Sequence, residues 1–213
     1  MTVLSELSVG EYTARLASGA PTPGGGSAAA LVGALAAALG EMVGNFTVGK
    51  PKYAAVEADV QRILAALEVQ RARLLELIDA DADAYSQVGA AFGLPRTTDE
   101  ERAARAQAIE DALKSAAQVP LAVMEACMAV CGQLEELRQK GNPNLLSDVG
   151  VAAELTRAAC RCAWLNVEVN LASLKDTAYV SEVRAATSER MACIEAATEE
   201  VFTRVARAIR GEG

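Results

Sequence analysis

Residues 141–176 read GNPNLLSDVGVAAELTRAACRCAWLNVEVNLASLKD, and they decide the fold because one helix stops and a long new one starts here. Gly141 is typical of the residue that ends a helix, and Pro143 prevents that helix from continuing. Ser147 offers a hydroxyl oxygen to cap the helix that follows. Asp148 then falls in the first helical turn, where unpaired backbone N–H groups favour a carboxylate.

The new helix is expected over residues 149–174, which lack proline and therefore predict about seven turns. Helical spacing gives it an apolar face that ends in two carboxamides, made of Val151, Leu155, Ala159, Cys162, Asn166 and Asn170. A buried, unpaired amide costs about 1–3 kcal/mol, so the asparagines either tie neighbouring helices together or form a polar site inside the bundle. Asp148 and Asn166 lie about 27 Å apart along a straight helix, so they share one small ligand only across a kink or a second chain.

The composition favours a single all-helical domain over residues 1–213. Hydrophobic residues make up 52% of the chain but aromatic ones only 4%, and the abundant alanines allow close helix packing. No segment shows strand-like alternation, so the fold class is all-α, an up-and-down bundle of long helices. The net charge of −8 argues against nucleic acid or an anionic membrane as a partner.

The cysteine and histidine content limits the chemistry of the chain. Five cysteines without a signal peptide are typical of reduced thiols in a cytoplasmic protein. Cys127 and Cys131 lie one turn apart, but the absence of histidine disfavours an ordinary zinc site, so no metal is expected. Acid–base catalysis would have to come from Asp, Glu, Lys, Tyr or Cys, and a Ser-His-Asp triad is excluded.

Two loops are candidate ligand sites. Residues 21–27 read PTPGGGS and open a helix, so they are either a tight helix corner or a loop that presents backbone N–H groups to an anion. The apolar run over residues 28–40 that follows is interpreted as too short to span a membrane. Lys50 and Lys52 belong either to a solvated loop or to a site for a ligand carboxylate.

Asp81 interrupts the apolar stripe of a third helix, predicted over residues 54–92. Arg71 interrupts the same stripe but has a stem long enough to carry its charge outward, which the short Asp81 side chain cannot do. Asp81 should therefore point into the bundle beside Tyr85. A buried carboxylate needs partners or a raised pKa, so Asp81 is either a site residue or a structural hydrogen-bond acceptor.

The remaining helices follow the same logic. A first amphipathic helix is expected within residues 1–18, and a fourth is expected up to Lys140, opened by a capping box of Thr97 and Glu100 and kinked at Pro120. A last helix is expected over residues 180–210.

Several of these stretches together resemble the cyclodeaminase/cyclohydrolase family of folate enzymes. The matching positions are PTPGGGS at 21–27, MVGNFT at 42–47, Gly49, Lys50, Tyr53, Asp81 with Ala84 and Tyr85, the Leu94-Pro95 pair, residues 141–152, Asn166, Asn170 and Asp176. The resemblance covers nearly the whole chain. It implies an all-helical homodimer that handles the one-carbon unit between N5 and N10 of tetrahydrofolate, without a covalently bound cofactor.

Members of that family either open the methenyl ring with water or close a 5-formimino group onto N10 with loss of ammonia. The lack of an attached transferase domain favours the cyclohydrolase role. The resemblance implies that Asp148 is catalytic, either as a base or as a stabiliser of the developing cation. Asp81 would then be either its partner with a raised pKa or a group that binds the aminopyrimidinone edge of the pterin. It also implies substrate contacts from Gly24, Gly25, Gly26, Ser27, Thr47, Lys50, Tyr53, Tyr85, Asn142, Asn144, Asn166 and Asn170. The rival hypothesis is a non-catalytic helical binding module whose Asn and Asp residues only fix the helix register.

Overall fold

The computed structural model describes residues 3–212, and that part of the chain folds into helices without a β-strand. Its six α-helices are α1 (Val9–Leu16), α2 (Gly25–Asn45), α3 (Glu57–Phe92), α4 (Asp99–Lys140), α5 (Leu146–Leu171) and α6 (Thr177–Arg210). Three short 3₁₀ turns lie at Leu4–Glu6, Pro51–Val56 and Pro143–Leu145. The prediction of an all-α chain is confirmed.

Helices α2, α3, α4 and α5 form a four-helix bundle. Each packs against the next along the chain, and α5 returns to pack against α2, which closes the ring. Helix α6 lies outside this ring against α5 and α4. Short connections between packed neighbours are typical of up-and-down topology, so the predicted bundle describes the chain well.

Helix α2 can pack closely against its neighbours because most of its side chains are very small. Gly33, Gly40 and Gly44 each face a leucine of α3, namely Leu74, Leu67 and Leu64. A Cβ added at Gly40 would lie 2.8 Å from a methyl carbon of Leu67, closer than real Cβ contacts. The glycines therefore let α3 pack directly on the α2 backbone.

Several predicted helix ends are corrected by one to three residues. The capping box of α4 is formed by Thr98 and Glu101 instead of Thr97 and Glu100. Ser147 lies inside α5 rather than capping it, because the 3₁₀ turn that Asn142 caps runs directly into the helix. The prediction that Asp148 occupies the first turn of α5 is confirmed. The first predicted helix is a 3₁₀ turn followed by α1, and residues 1 and 2 lie outside the described part.

The apolar face predicted for α5 is wrong by a rotation about the helix axis. The side that packs into the bundle carries smaller residues: Val149, Ala152, Ala153, Thr156, Ala159, Cys160, Ala163, Val167 and Leu171. Val151 and Cys162 are exposed instead. Helix α5 thus has two apolar sides, and only one of them contributes to the core of this chain.

Arg71 of α3 does not extend into solvent as expected. Its Nε lies 2.6 Å from a carboxylate oxygen of Glu41 in α2, and the side chain of Glu41 is only 16% exposed. The charge of Arg71 on the apolar stripe of α3 is therefore compensated by an ion pair with α2.

Two helices, Gly25–Asn45 and Asp99–Lys140, are long and apolar enough to cross a membrane by length and composition alone. In each of them, 56% of the most apolar window is buried inside the bundle. The sequence analysis interprets the apolar run over residues 28–40 as too short to span a membrane, but α2 continues past Glu41 to Asn45. That judgement of length is corrected, and the absence of a membrane partner stays a prediction.

Candidate active site

Asp81 lies where α3 passes the first turn of α2. Its Oδ2 accepts hydrogen bonds from the backbone N–H of Ser27 at 2.9 Å and from the Ser27 hydroxyl at 3.0 Å. Gly26 leaves the room for this contact, since a Cβ at that position would overlap the carboxylate. The carboxylate therefore sits against the N-terminus of α2, whose unpaired N–H groups favour negative charge.

The Ser27 hydroxyl can serve Asp81 in both of its protonation states. It lies 3.0 Å from the Ile78 carbonyl as well as 3.0 Å from Asp81, and a hydroxyl has one proton to donate. When Asp81 is ionised, that proton can go to the carboxylate. When Asp81 is protonated, the carboxyl O–H can donate to Ser27 while Ser27 donates to Ile78. This arrangement suits a group that gains and loses a proton.

Burial has a direct effect on the ionisation of Asp81. It raises the pKa of the carboxyl above its ordinary value, while the hydroxyl and backbone N–H of Ser27 act in the opposite direction. A carboxylate with a raised pKa in a cleft is a candidate proton-transfer group. Ser27 itself is fully buried and holds Asp81 in this structure, and its direct contact with substrate stays a prediction.

Two asparagines of α5 face the same region. The Asn166 amide donates to the Cys162 carbonyl at 2.8 Å, and the Asn170 amide donates to the Asn166 carbonyl at 2.9 Å. Both bonds lie within α5, so the interpretation of a pair that ties neighbouring helices together is wrong. Gly25 lies beside the Asn166 amide, since a Cβ added at Gly25 would be 3.5 Å from the side-chain nitrogen of Asn166. The amide oxygens remain as acceptors toward the space between α2 and α5.

These groups line one cleft of about 420 Å³, within the size range of small-molecule sites. Its polar part consists of Asp81, Asn166, Asn170 and the backbone of Gly24–Gly26. Its apolar part includes the half-exposed rings of Tyr85 and Phe92 together with Val169, which is 71% exposed. A flat aromatic ring system with hydrogen-bonding edges would fit such a mixed wall.

A second cluster, formed by Thr47, Tyr53 and Asn142, lies outside the cleft. The Tyr53 hydroxyl donates to Asn142 Oδ1 at 2.8 Å, and the Asn142 N–H donates to Thr47 Oγ1 at 2.9 Å. Thr47 is 1% exposed and Asn142 is 7% exposed. In this structure Thr47 and Asn142 join the end of α2 to the start of α5, and their contacts with substrate stay predictions.

The neighbouring residues of this second cluster remain accessible. Asn144 is exposed, and its backbone N–H donates to Asn142 Oδ1 at 3.2 Å. The Lys50 ammonium lies over the ring of Phe46, and the Lys52 ammonium lies over the ring of Tyr53. Both cations thus stand beside aromatic rings at the end of α2 remote from the glycine loop.

Asp148 belongs to this remote end of α5 and does not line the cleft. Eighteen residues separate it from Asn166, which corresponds to about 27 Å along one helix. Within residues 3–212, its carboxylate forms no ion pair and no side-chain hydrogen bond. The two carboxylates proposed for catalysis are therefore far apart within one chain.

The sequence interpretation missed Phe92, Val169 and Leu113, all of which line the cleft. Val169 could have been found, because it follows Asn166 by three residues and so shares its side of the helix. Leu113 comes from α4 and reaches the cleft only through the packing of α4 against α3 and α5.

The described part of the chain was also searched for a cluster of side chains that could bind a metal ion. No three His, Cys, Asp or Glu side chains among residues 3–212 are placed to hold a metal ion. All five cysteines are free, and Cys127, Cys131 and Cys160 are buried. Burial raises the pKa of Cys131 to about 11 and that of Cys160 to about 12, which keeps both thiols protonated.

A family model described as formiminotransferase-cyclodeaminase matches residues 8–189. The chain belongs to the formiminotransferase-cyclodeaminase family. The matched region contains the whole cleft, the Thr47–Asn142 cluster and Asp148. The family resemblance stated from the sequence is thereby confirmed.

Named relatives of this family match the chain over most of its length. The methenyltetrahydrofolate cyclohydrolase of Methylorubrum extorquens is 50% identical over 167 residues, which are 78% of this chain and 80% of that protein. The formimidoyltransferase-cyclodeaminase of Rattus norvegicus is 35% identical over 85% of this chain, but this covers only 34% of the rat protein. The chain thus spans about a third of the length of that larger relative.

A solved structure supports the same fold. The crystal structure of formiminotetrahydrofolate cyclodeaminase from Thermotoga maritima superposes with a TM-score of 0.81. The match covers 98% of each chain at 35% sequence identity. The helical arrangement described above is therefore that of a formiminotransferase-cyclodeaminase family member throughout.

Proposed function

We propose that this chain is an enzyme that opens the N5–N10 methenyl bridge of tetrahydrofolate with water, a methenyltetrahydrofolate cyclohydrolase. The observation that carries the chemistry is the half-buried Asp81, held by Ser27 in a cleft of about 420 Å³. The substrate class is supported by the relative from Methylorubrum extorquens that is 50% identical and carries that name. In a non-catalytic binding module Asp81 would only accept hydrogen bonds from the start of α2, and turnover distinguishes this alternative from the enzyme.

The proposed reaction uses Asp81 to move a proton. Water attacks the methenyl carbon, a C–O bond forms, and Asp81 accepts a proton from the attacking water. The tetrahedral carbon then releases N5, which takes the proton from Asp81. The remaining hydroxyl loses its proton to solvent, which leaves a formyl group on N10. The Ser27 hydroxyl switches its donor direction with each change at Asp81.

The cleft also offers groups that would hold the pterin ring. The rings of Tyr85 and Phe92 provide apolar surface for stacking, and the oxygens of Asn166 and Asn170 can accept from ring N–H groups. The exposed N–H groups of the glycine loop suit a carbonyl or carboxylate of the ligand. Lys50 lies too far along α2 to help within the same subunit, since a helix of this length spans about 30 Å.

The second part of the proposal is a homodimer in which each cleft receives Asp148 from the partner subunit. The support is the outer side of α5, which carries an apolar stripe of Val151, Leu155, Ala158, Cys162, Leu165 and Val169. All of these except the partly buried Leu155 are exposed in the single chain. The spacing of the stripe alternates between four and three residues, the pattern that packs one helix against another. Val151, Leu165 and Val169 are each more than half exposed in the single chain.

An antiparallel pair of α5 helices would bury this stripe. A two-fold axis at its middle puts the Asp148 end of one helix beside the Asn166 end of the other. Asp148 and Asn166 are about 27 Å apart within one subunit, which is about the length of the stripe. Antiparallel pairing along the stripe would therefore bring Asp148 and Lys50 to the partner's cleft. The carboxylate of Asp148 would then stand beside the cationic methenyl group and stabilise it.

The dimer is tested by a charge on the stripe. Leu165→Asp should give a monomer in sedimentation with little turnover. Val69→Asp, which places the same charge at an exposed apolar residue of α3, should stay dimeric and active. A parent protein that sediments as a monomer and is fully active would refute the proposed dimer.

The reaction is tested by following the absorbance of methenyltetrahydrofolate during hydrolysis, corrected for the spontaneous rate. The second candidate is the ammonia-releasing cyclodeaminase, which the likeness to the Thermotoga maritima enzyme favours. Ammonia release from 5-formiminotetrahydrofolate measures that activity in the same preparation. The proposed cyclohydrolase role fails if only the second substrate is consumed, and the enzyme hypothesis fails if neither is.

A further inference from the structure

Helix α2 carries an apolar row on its outer side, here called the α2 seam. Its members follow one another in steps of three and four residues and are Ala28, Leu31, Leu35, Ala38 and Met42. This spacing is that of a helix packed against another helix. Leu35 is 51% exposed, and the other members are partly exposed.

The α2 seam carries no charge toward solvent. Glu41 is the one charged residue in the sequence of α2, and its carboxylate pairs with Arg71 of α3. The opposite side of the helix is the one whose glycines contact the leucines of α3. A helix that is apolar on all sides is normally buried on all sides, so the seam calls for a partner.

The α2 seam and the apolar stripe of α5 belong to one outer face, because α2 and α5 pack side by side and antiparallel. At one end of this pair Gly25 lies beside Asn166, and at the other end Thr47 binds Asn142. Both rows therefore extend along the same length of the bundle.

The two rows also share one midpoint. Leu35, the middle of the α2 seam, follows Gly25 by ten residues and so lies about level with residue 156 of α5, ten residues before Asn166. The point halfway between Asp148 and Asn166 is residue 157. The two levels differ by one residue, or about 1.5 Å.

This agreement is what a second copy of the chain requires. A two-fold axis that crosses both helices in the outer face pairs each helix with its own copy, antiparallel, about a single level. A lipid surface or an unrelated protein needs no common midpoint. The seam is uncharged, so it also avoids repulsion between two chains that each carry a net charge of −8.

The area of contact supports the same partner. The α5 stripe, about 27 Å long and about 10 Å wide, would bury only about 540 Å² summed over two subunits. Specific interfaces bury about 1,200–2,000 Å² in total. The 21 residues of α2 add a second row about 32 Å long, which brings the total to about 1,200 Å². The two helices together reach the size that a stable dimer needs.

We infer that the α2 seam is the second half of the dimer interface, with Leu35 on the two-fold axis against Leu35 of the partner subunit. This inference rests on the homodimer proposed above. Antiparallel pairing about Leu35 places the last turn of one α2 beside Gly25 of the other. The ring of Phe46, which is 52% exposed in the single chain, then covers the outer side of the partner's glycine loop.

The test is disulfide cross-linking in a protein whose exposed cysteines, Cys162 and Cys193, are replaced by serine. Under mild oxidation Leu35→Cys should give nearly complete covalent dimer on a non-reducing gel. The reason is that two residues facing each other on the axis come within the Cα separation of about 7 Å that a disulfide allows.

Two further positions fix the direction of the pairing. Ala28 and Met42 each lie seven residues from Leu35, so each is about 10 Å from the axis and about 21 Å from its own copy. Neither Ala28→Cys nor Met42→Cys should cross-link alone. Co-expressed, the two variants should cross-link to each other, because antiparallel pairing puts Ala28 opposite Met42.

Two control variants separate this contact from other effects. Val69→Cys places a thiol at an apolar residue of α3 that is 61% exposed, and it should give no covalent dimer. Ala158→Cys lies on the α5 stripe, one residue from the level of the axis, and reports the contact between the two α5 helices by itself.

The inference is overturned if Ala158→Cys cross-links while Leu35→Cys and the Ala28→Cys/Met42→Cys mixture do not. It is also overturned if Met42→Cys alone cross-links as well as Leu35→Cys, or if the parent floats with phosphatidylcholine vesicles and no variant cross-links. Absence of turnover in the parent overturns the proposed reaction instead. Cross-linking requires no substrate, so the two failures are distinguished.

Discussion

Mixing two inactive variants tests whether the active site is shared between subunits. Asp148→Asn keeps an intact cleft but cannot supply its own carboxylate to a partner. Asp81→Asn has the reverse defect. Each pure variant should lose turnover by about 10²–10⁴-fold, the usual contribution of an acid–base group. A heterodimer of the two contains one cleft in which Asp81 of one subunit meets Asp148 of the other.

The expected recovery follows from two-fold symmetry. Each mixed dimer has one of its two sites intact, so mixed dimers purified through both tags should show about half of the parent turnover. Random pairing makes about half of all dimers mixed, so the unfractionated mixture should show about a quarter. The reason lies in the structure: Asp148 and Asn166 are about 27 Å apart on one helix, too far to act on one small group. Within a single chain, no rearrangement of side chains bridges that distance.

The assay is co-expression of the two variants with different affinity tags, followed by purification through both tags. Turnover of methenyltetrahydrofolate is then compared with that of each variant carried on both tags. Mixed dimers with no more activity than the pure variants would refute the shared site. An Asp148→Asn protein that keeps kcat within a few-fold of the parent would remove Asp148 from the mechanism altogether.

Two further predictions concern the region around Asp81. Gly26→Ala puts a methyl group against the Asp81 carboxylate. Overpacking costs about 1–3 kcal/mol and helix propensity returns about 1 kcal/mol, so a net cost of up to about 2 kcal/mol should lower the melting temperature by up to roughly 8 °C, and activity with it. Gly132→Ala in α4, where a Cβ has open space, should instead raise the melting temperature, and equal effects at the two positions would contradict the packing described. The stability of Asp81→Asn relative to the parent should increase as pH rises. The pKa of the Asp81 carboxyl is raised in the folded state, so the carboxyl stabilises the folded parent fully below its unfolded pKa of about 4. That contribution is lost as the carboxyl ionises in the folded state. Urea unfolding of both proteins from pH 4 to 8 measures this difference, and a constant difference would show that Asp81 is not destabilised by burial.

The sequence predicted Asp81 as a site candidate because one short carboxylate interrupts a regular apolar stripe. That pattern is local and needs no knowledge of the neighbouring helix. The role of Ser27 was not accessible in the same way, since it depends on a contact between residues 54 positions apart. The same holds for the hydrogen bond between Thr47 and Asn142, which meet across 95 positions.

The rotation error on α5 has a different cause. This helix carries two apolar sides, one of alanines and small residues and one with Val151, Leu165 and Val169. The sequence interpretation chose one side by helical spacing, the side with Val151, Leu155, Ala159 and Cys162. In the structure the side with Ala152, Ala153, Thr156, Ala159 and Cys160 faces inward, where α5 packs against α2 and α4. Periodicity alone does not say which side belongs to the chain's own core.

The glycine- and alanine-rich composition of α2 also determines how the chain tolerates change. Glycine and alanine have no rotamer freedom to lose, so burying this helix costs backbone entropy almost alone. Its glycines and alanines can hardly shrink further, while enlargement at Gly33, Gly40 or Gly44 meets a leucine of α3. Substitution at these three glycines should therefore be harmful toward larger size, and a neighbouring leucine shortened to alanine should rescue some of the enlarged variants.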